Sequence, residues 1–280
     1  MKRVLCLEDL ACVGRCSLAA ALPVISASGV QACCVPTGLF STHTAGFGAP
    51  ARAATDDFAR AALEQAKEDR DALKNVGLSF DAVLSGYLAG EGQAELVREA
   101  FAQNPDALHV VDPAMADGGK MYASLPPQLL PAMASLCEEA DVLLPNVTES
   151  ELLLGLTPTG QAGSEERARE RAAALLERFP RAGLIVITGW GSRNVCAQRG
   201  RDAVCLPFER VETSYHGTGD VFAAALTAAL ARGDEPLSAV RRTARFLTAA
   251  AAAAEKAGAE PRHGVWYETC LTMLTEREET

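Results

Sequence analysis

Residues 214–230 read SYHGTGDVFAAALTAAL, a polar, glycine-rich turn that runs straight into an alanine-rich apolar helix with the acid Asp220 at the junction. Gly217 and Gly219 leave no side chain between backbone and ligand and reach backbone angles closed to other residues. The N–H groups of Gly217, Thr218 and Gly219 are therefore expected to face one point. The first amides of a helix lack internal partners and carry the positive end of its dipole, which suits a phosphate or a phosphoryl group in flight. A carboxylate beside such a site repels the ligand unless it takes the proton from the hydroxyl that attacks phosphorus. Acids and hydroxyls near helix starts also serve as plain caps, and that alternative stays open at this point. The helix behind the turn is too apolar to be anything but buried.

Outward from this turn, short apolar runs alternate with longer helical patterns. Strands are expected at residues 3–7, 31–36, 81–85, 108–111, 142–144 and 184–187, with a hairpin of 193–198 and 203–206. Helices are expected at 17–28, stopped by Gly29, at 56–75, at 92–103, after Asn146, after Asp220, and from Pro236 to the end, with Arg241, Arg242 and Arg245 as a solvated face. Such alternation predicts an α/β fold, a parallel sheet with helices on both faces. No repeat or linker divides the chain, so residues 1–280 are read as one domain.

Composition narrows the function. The 280 residues are 49% apolar, and 26 basic against 36 acidic residues give a net charge of −10 without a basic run, so nucleic acid and anionic membranes are not expected partners. The opening MKRVLCLEDL meets acids after a short apolar run and reads as a first strand, not a signal peptide. No apolar stretch approaches the ~20 residues of a membrane helix. Nine cysteines without a repeated spacing predict reduced, mostly buried thiols and a soluble, cytoplasmic protein.

The polar residues cluster after the strands, where open α/β sheets bind ligands. Asp9 follows the first strand, as a substrate contact or a loop cap. Residues 37–48, TGLFSTHTAGFG, surround His43 with small and hydroxyl residues, as a functional loop or a turn. After the fourth expected strand, Asp112 and Asp117 stand five apart around Pro113, ahead of a glycine pair; they suit Mg²⁺ held through water, or a solvated turn. Glu149 falls in a first helical turn, favourable to the dipole and placed where a metal-organising acid would stand.

Taken together and in order, STHT at 41–44, DPAMAD at 112–117 with GKMY after it, PNVTE at 145–149 and GTGD at 217–220 resemble the ribokinase superfamily, and within it the pyridoxal (vitamin B6) kinases. DLACVGRCSL at 9–18 looks like bacterial chains usually called pyridoxamine kinases. The resemblance implies a ribokinase-like three-layer α/β/α domain that uses ATP and Mg²⁺, leaves open a monovalent cation such as K⁺, phosphorylates the 5′-hydroxyl of a B6 vitamer and forms a homodimer. It implies Asp220 as base and the backbone of Gly217, Thr218 and Gly219 as anion hole. Asp112, Asp117 and Thr188 would lie along the ATP phosphates, with Asn146 beside them, Glu149 ordering Mg²⁺ and Tyr122 in a flap over ATP. Asp9, Thr44 and Tyr87 would face the vitamer ring, and His43 would lie beside it.

The chain departs from that pattern at four places. Asp9 stands where a serine is common and is expected to favour a cationic aminomethyl group. Leu144 replaces a frequent threonine, and Ala45 and Ala116 replace glycines. A hydroxymethylpyrimidine kinase of thiamine synthesis and a non-catalytic B6-binding protein are the alternatives.

Overall fold

The structure, a computed structural model, describes residues 1–72, 79–209 and 211–275. In chain order β1 (Arg3–Ala11) leads to α1 (Ser17–Ala27), β2 (Gln31–Phe40), β3 (Arg52–Ala54), α2 (Asp56–Ala72) and β4 (Ala82–Ser85). Then come α3 (Glu91–Gln103), β5 (Leu108–Val111), the short pair β6 (Ala116–Asp117) and β7 (Lys120–Met121), α4 (Leu129–Cys137), β8 (Val142–Leu143) and α5 (Val147–Leu153). α6 (Glu165–Arg178), β9 (Leu184–Trp190), β10 (Arg193–Gln198), β11 (Val204–Pro207), α7 (Thr218–Ala231), α8 (Pro236–Lys256) and two 3₁₀ turns, Pro261–His263 and Glu268–Leu274, complete the chain.

The chain divides into two compact units, one of residues 1–84 with 209–280 and one of residues 85–208. In the first, β4, β1, β2 and β3 lie side by side in that order. β1 and β2 run parallel, and β3 is an antiparallel edge. α1 and α7 pack on each other and on β1, while α2 packs on β2. α7 can lie this close because its inward residues are alanines, fully enclosed at Ala224 and Ala228. In the second unit the order is β5, β8, β9, β10, β11, with β8 parallel to both neighbours and β10 antiparallel to both of its own. α6 covers β9 to β11 and α5 covers β9. This mostly parallel α/β architecture is the one expected from the alternation of patterns. Among the described residues no helix is long and apolar enough to cross a membrane.

Several elements differ from the sequence reading. β1 continues through Glu8 and Asp9 to Ala11 because β2 also runs on, to Phe40. Pro36 brings no N–H to the ladder, and the register shifts between Glu8 and Asp9, a bulge of the kind that re-aims a side chain. β9 extends through Thr188 to Trp190 because β10 pairs with it. The last helix stops at Lys256, with Gly258 at φ +64° and Pro261 beyond. α4 and α6 are helices the reading did not contain, and residues 73–75 of the expected second helix and 276–280 of the last lie outside the described residues.

Arg242 is not on a solvated face. It is buried and donates to Asp234, which also accepts from Arg232 at 2.8 Å. All nine thiols are free, but only Cys6, Cys16, Cys137 and Cys196 are buried; Cys12 and Cys34 are exposed, because Cys34 sits on the open face of β2 and Cys12 just past the end of β1.

Candidate active site

The first unit holds Gly217 and Asp220 together with Asp9, His43 and Thr44. Gly217 opens α7 in the left-handed region, at φ +73°, and a Cβ there would lie 2.0 Å from the Arg15 carbonyl oxygen. Only glycine permits that approach. No side chain caps this end of α7, so the amides of its first turn are left to an anion.

Asp220 stands in that first turn, partly buried. The Ser17 main-chain N–H and the Cys16 thiol, at the start of α1, face its carboxylate. Burial pushes its pKa up, against the nearby Ser17 N–H and Cys16 thiol. Asp9 is buried in β1 and accepts the Ser17 hydroxyl at 2.7 Å. Burial pushes its carboxyl up to about 7; the Ser17 hydroxyl opposes this and the nearby Asp220 adds to it.

His43 is buried, with Nε2 2.5 Å from the Arg262 carbonyl oxygen and Nδ1 accepting from the Ala45 N–H at 3.3 Å. These partners select the tautomer with the proton on Nε2. Phe47 meets the ring edge-on at 4.9 Å between centroids, and His216 lies at 5.5 Å. A Cβ on Gly14 would strike the ring at 2.2 Å. His43 thus ties together the loop after β2, the loop after β1 and the turn at Pro261–His263. Thr44 beside it is half-buried.

The second unit holds the acids expected near phosphates. Asn146 caps α5 by accepting the Glu149 N–H at 2.9 Å, and Glu149 Oε2 accepts the Asn146 N–H at 2.9 Å, a capping box. Glu149 Oε1 reaches further, to the N–H groups of Met115 at 3.0 Å and Ala116 at 3.3 Å, and Asn146 Nδ2 donates to the Ala116 carbonyl at 2.7 Å. One helix cap therefore also staples the base of the β6–β7 hairpin. Burial pushes the Glu149 carboxyl up to about 8 against these donors, with Asp117 adding to the rise.

Asp117 is exposed in the hairpin and accepts the Gly118 N–H at 2.7 Å. Asp112 follows β5, buried, with its N–H on the Ser85 carbonyl. Thr188 bridges to Asn146, its N–H on the Pro145 carbonyl at 2.9 Å. The Tyr122 N–H donates to Met115, and Tyr87 shares a 3.3 Å hydrogen bond with Ser124. Among the described residues no three His, Cys, Asp or Glu side chains gather to hold a metal ion. Both Glu149 oxygens are occupied by N–H donors, whereas Asp117 is open, so the acids fit a Mg²⁺ ion that takes most of its ligands from phosphate and water.

The sequence reading did not assign three contributors. Ser17 and Cys16 serve Asp9 and Asp220, and the only signal was their place in the matched stretch at 9–18. Glu151 accepts from the N–H groups of Thr159 and Gly160 at 2.7 and 2.9 Å and pairs with the buried Arg171, holding a loop whose Gly160 abuts the Gly118–Gly119 backbone. Nothing local in the sequence marks that pairing.

Residues 15–265 match the family described as phosphomethylpyrimidine kinase. The chain is 29% identical to the pyridoxine kinase of Bacillus subtilis over 180 residues, 62% of this chain and 65% of that protein. It is 33% identical to the hydroxymethylpyrimidine/phosphomethylpyrimidine kinase of Haemophilus influenzae over 181 residues, 59% of this chain and 62% of that protein. The matches thus span a little under two thirds of the length of these curated relatives. The solved pyridoxal kinase of Lactobacillus plantarum superposes with a TM-score of 0.86 at 28% identity, over 98% of this chain and 96% of that one. The fold is the ribokinase-like one that the motifs imply, and the chain belongs to the phosphomethylpyrimidine kinase family.

Proposed function

We propose that this protein transfers the γ-phosphoryl group of ATP to the 5′-hydroxyl of a vitamin B6 vitamer. The observation that carries the reading is Asp220, a carboxylate of raised pKa in the first turn of α7, one turn past the left-handed Gly217. A base there takes the hydroxyl proton as the new O–P bond forms and the bond to ADP breaks. The amides of Gly217, Thr218 and Gly219 stabilise the charge on the moving phosphoryl oxygens, the largest contribution a protein makes to this reaction. Mg²⁺, steadied by Asp112 and Asp117, would neutralise the phosphates, with Glu149 and Asn146 holding the hairpin that carries Asp117. Thr188 and Tyr122 serve the nucleotide, and Asp9, Thr44 and Tyr87 the vitamer, with His43 shaping the loop. We place the activity in the cytoplasm and in a homodimer.

Incubation with ATP, Mg²⁺ and each of pyridoxal, pyridoxine, pyridoxamine and hydroxymethylpyrimidine, with product mass as readout, tests the reading. A gain of one phosphate on a B6 vitamer is expected. Turnover of the pyrimidine alone moves the protein to the activity named for its Haemophilus influenzae relative, and no turnover favours a binding protein. Asp220→Asn should lower kcat by roughly 10²–10⁴-fold with little change in KM; wild-type turnover in this variant removes Asp220 as the base.

A further inference from the structure

Glu149 and Asn146 grip the base of the β6–β7 hairpin; its tip, Gly118–Gly119, is held separately. The Gly119 N–H donates to Thr148 Oγ1 at 3.0 Å. The Thr159–Gly160 backbone packs against the same tip: a Cβ on Gly119 would lie 2.9 Å from the Thr159 carbonyl oxygen, and a Cβ on Gly160 would strike the Gly119 nitrogen. Gly119 and Gly160 both sit in the left-handed region, at φ +80° and +64°. Backbone meets backbone here with no side chain between, a closeness that glycine alone allows.

One buried carboxylate keeps Thr159 and Gly160 in place. Glu151 Oε2 accepts their N–H groups at 2.7 and 2.9 Å, and Oε1 accepts the Thr159 hydroxyl at 2.8 Å. The Arg171 guanidinium, also buried, lies 3.6 Å from Oε1 and donates to the Ser150 hydroxyl at 3.1 Å. It stands over the Trp190 ring at 5.6 Å, and Trp190 Nε1 donates to the Gly163 carbonyl at 3.0 Å, fixing the far end of the loop. A buried ion pair adds little stability over an apolar pair of the same volume, whereas three directed bonds to one carboxylate decide where the loop lies. Thr148 and Glu151 are three residues apart and so share a face of α5. That helix therefore holds the hairpin tip twice, directly and through the loop.

We propose that Glu151 is a positioning residue that seats the Thr159–Gly160 backbone as a backstop for Gly118–Gly119 and so sets where Asp117, the next residue of the hairpin, presents its carboxylate to the Mg²⁺ and phosphates of ATP. Partners that orient a metal-holding group from outside typically govern 10–100-fold in affinity. The role toward ATP rests on the kinase reading above; the anchoring of the tip does not.

Two variants approach the contact from opposite ends. Glu151→Gln keeps the shape of the side chain and leaves one carbonyl oxygen for three donors. Gly160→Ala spares Glu151 and Arg171 and drives a methyl group into the Gly119 nitrogen. Hydrogen exchange at the Gly119 amide, without nucleotide, should quicken roughly tenfold in both, while the amides of β9 exchange as in the parent. The calorimetric Kd for ADP with Mg²⁺ should rise roughly tenfold, and KM for ATP with it, at unchanged KM for the vitamer. A general loss of packing would instead quicken exchange in β9 and lower kcat with both KM values held. Should Glu151→Gln not fold, Thr159→Ala decides in its place: it removes one of the three donors from an exposed residue and should give roughly a threefold change in the same quantities. Parent-like exchange at Gly119, or faster exchange with parent-like affinity for ADP, overturns the proposal. A parent protein that binds no nucleotide and turns over no vitamer removes the kinase reading, and exchange at Gly119 still decides whether Glu151 anchors the tip.

Discussion

Asp9 shows how far a single residue can be read before its surroundings are known. Its acidity and its place after an apolar run were legible; that it lies inside the strand, buried and hydrogen-bonded to Ser17, follows from β2 continuing past Pro36. The burial has a thermodynamic sign. A carboxyl whose folded pKa is about 7 against an ordinary 3.8 binds more protons folded than unfolded between those values. Its effect is therefore to lower stability as pH rises from about 4 to about 7. Asp9→Asn, which cannot ionise, should be more stable than the parent at pH 8 by roughly 1–3 kcal/mol and nearly equal to it at pH 4, read from urea midpoints. A constant difference across that range would show that Asp9 does not titrate in the folded protein. Glu149 illustrates the opposite case. The sequence left open whether it capped a helix or organised a metal, and the cap is visible at both ends, Asn146 and the Met115–Ala116 amides.

Among the elements, α7 was legible because its composition leaves no choice: a helix of alanine, valine, leucine and phenylalanine must be enclosed. Its alanines also decide how near α1 can come. Ala224 is fully buried, and Ala224→Leu should destabilise the protein by about 1–3 kcal/mol through overpacking, seen as a lower urea midpoint at unchanged slope. An unchanged midpoint would mean that the α7 packing has room to yield. α4 and α6 were not legible for opposite reasons. LLPAMASLC in α4 carries no charge to mark a face, and α6 carries so many that its buried Ala168, Arg171, Ala172 and Leu175 are diluted. α6 is held as a helix by the Ser164 cap and by packing on β9 to β11. The tail beyond α8 followed local chemistry that was present in the sequence, Gly258 and Pro261, and that the alanine run overshadowed.

For the molecule as a whole, the proposed homodimer has a direct test. β3 is an exposed edge strand, and Leu39 on β2 and Phe58 on α2 are exposed at 40% and 61%, apolar surface that a second copy would cover. Light scattering is expected to return twice the monomer mass, and the monomer mass at micromolar concentration would remove the proposal. The net charge of −10 and the α/β class were determined by the sequence alone, because charge is additive and the alternation of strand and helix patterns is a local property. The glycine-rich turn and its helix were legible for the same reason: Gly217 and the apolar run behind Asp220 are neighbours in the chain. Which partner each acid takes was decided only by the tertiary structure. Ser17 donates to Asp9 from 8 residues away, and Glu151 accepts the Thr159 and Gly160 N–H groups while pairing with Arg171. The burial of Asp9 and its bond to Ser17 arise when β1, α1 and α7 pack together, and no pattern along one of them contains that information.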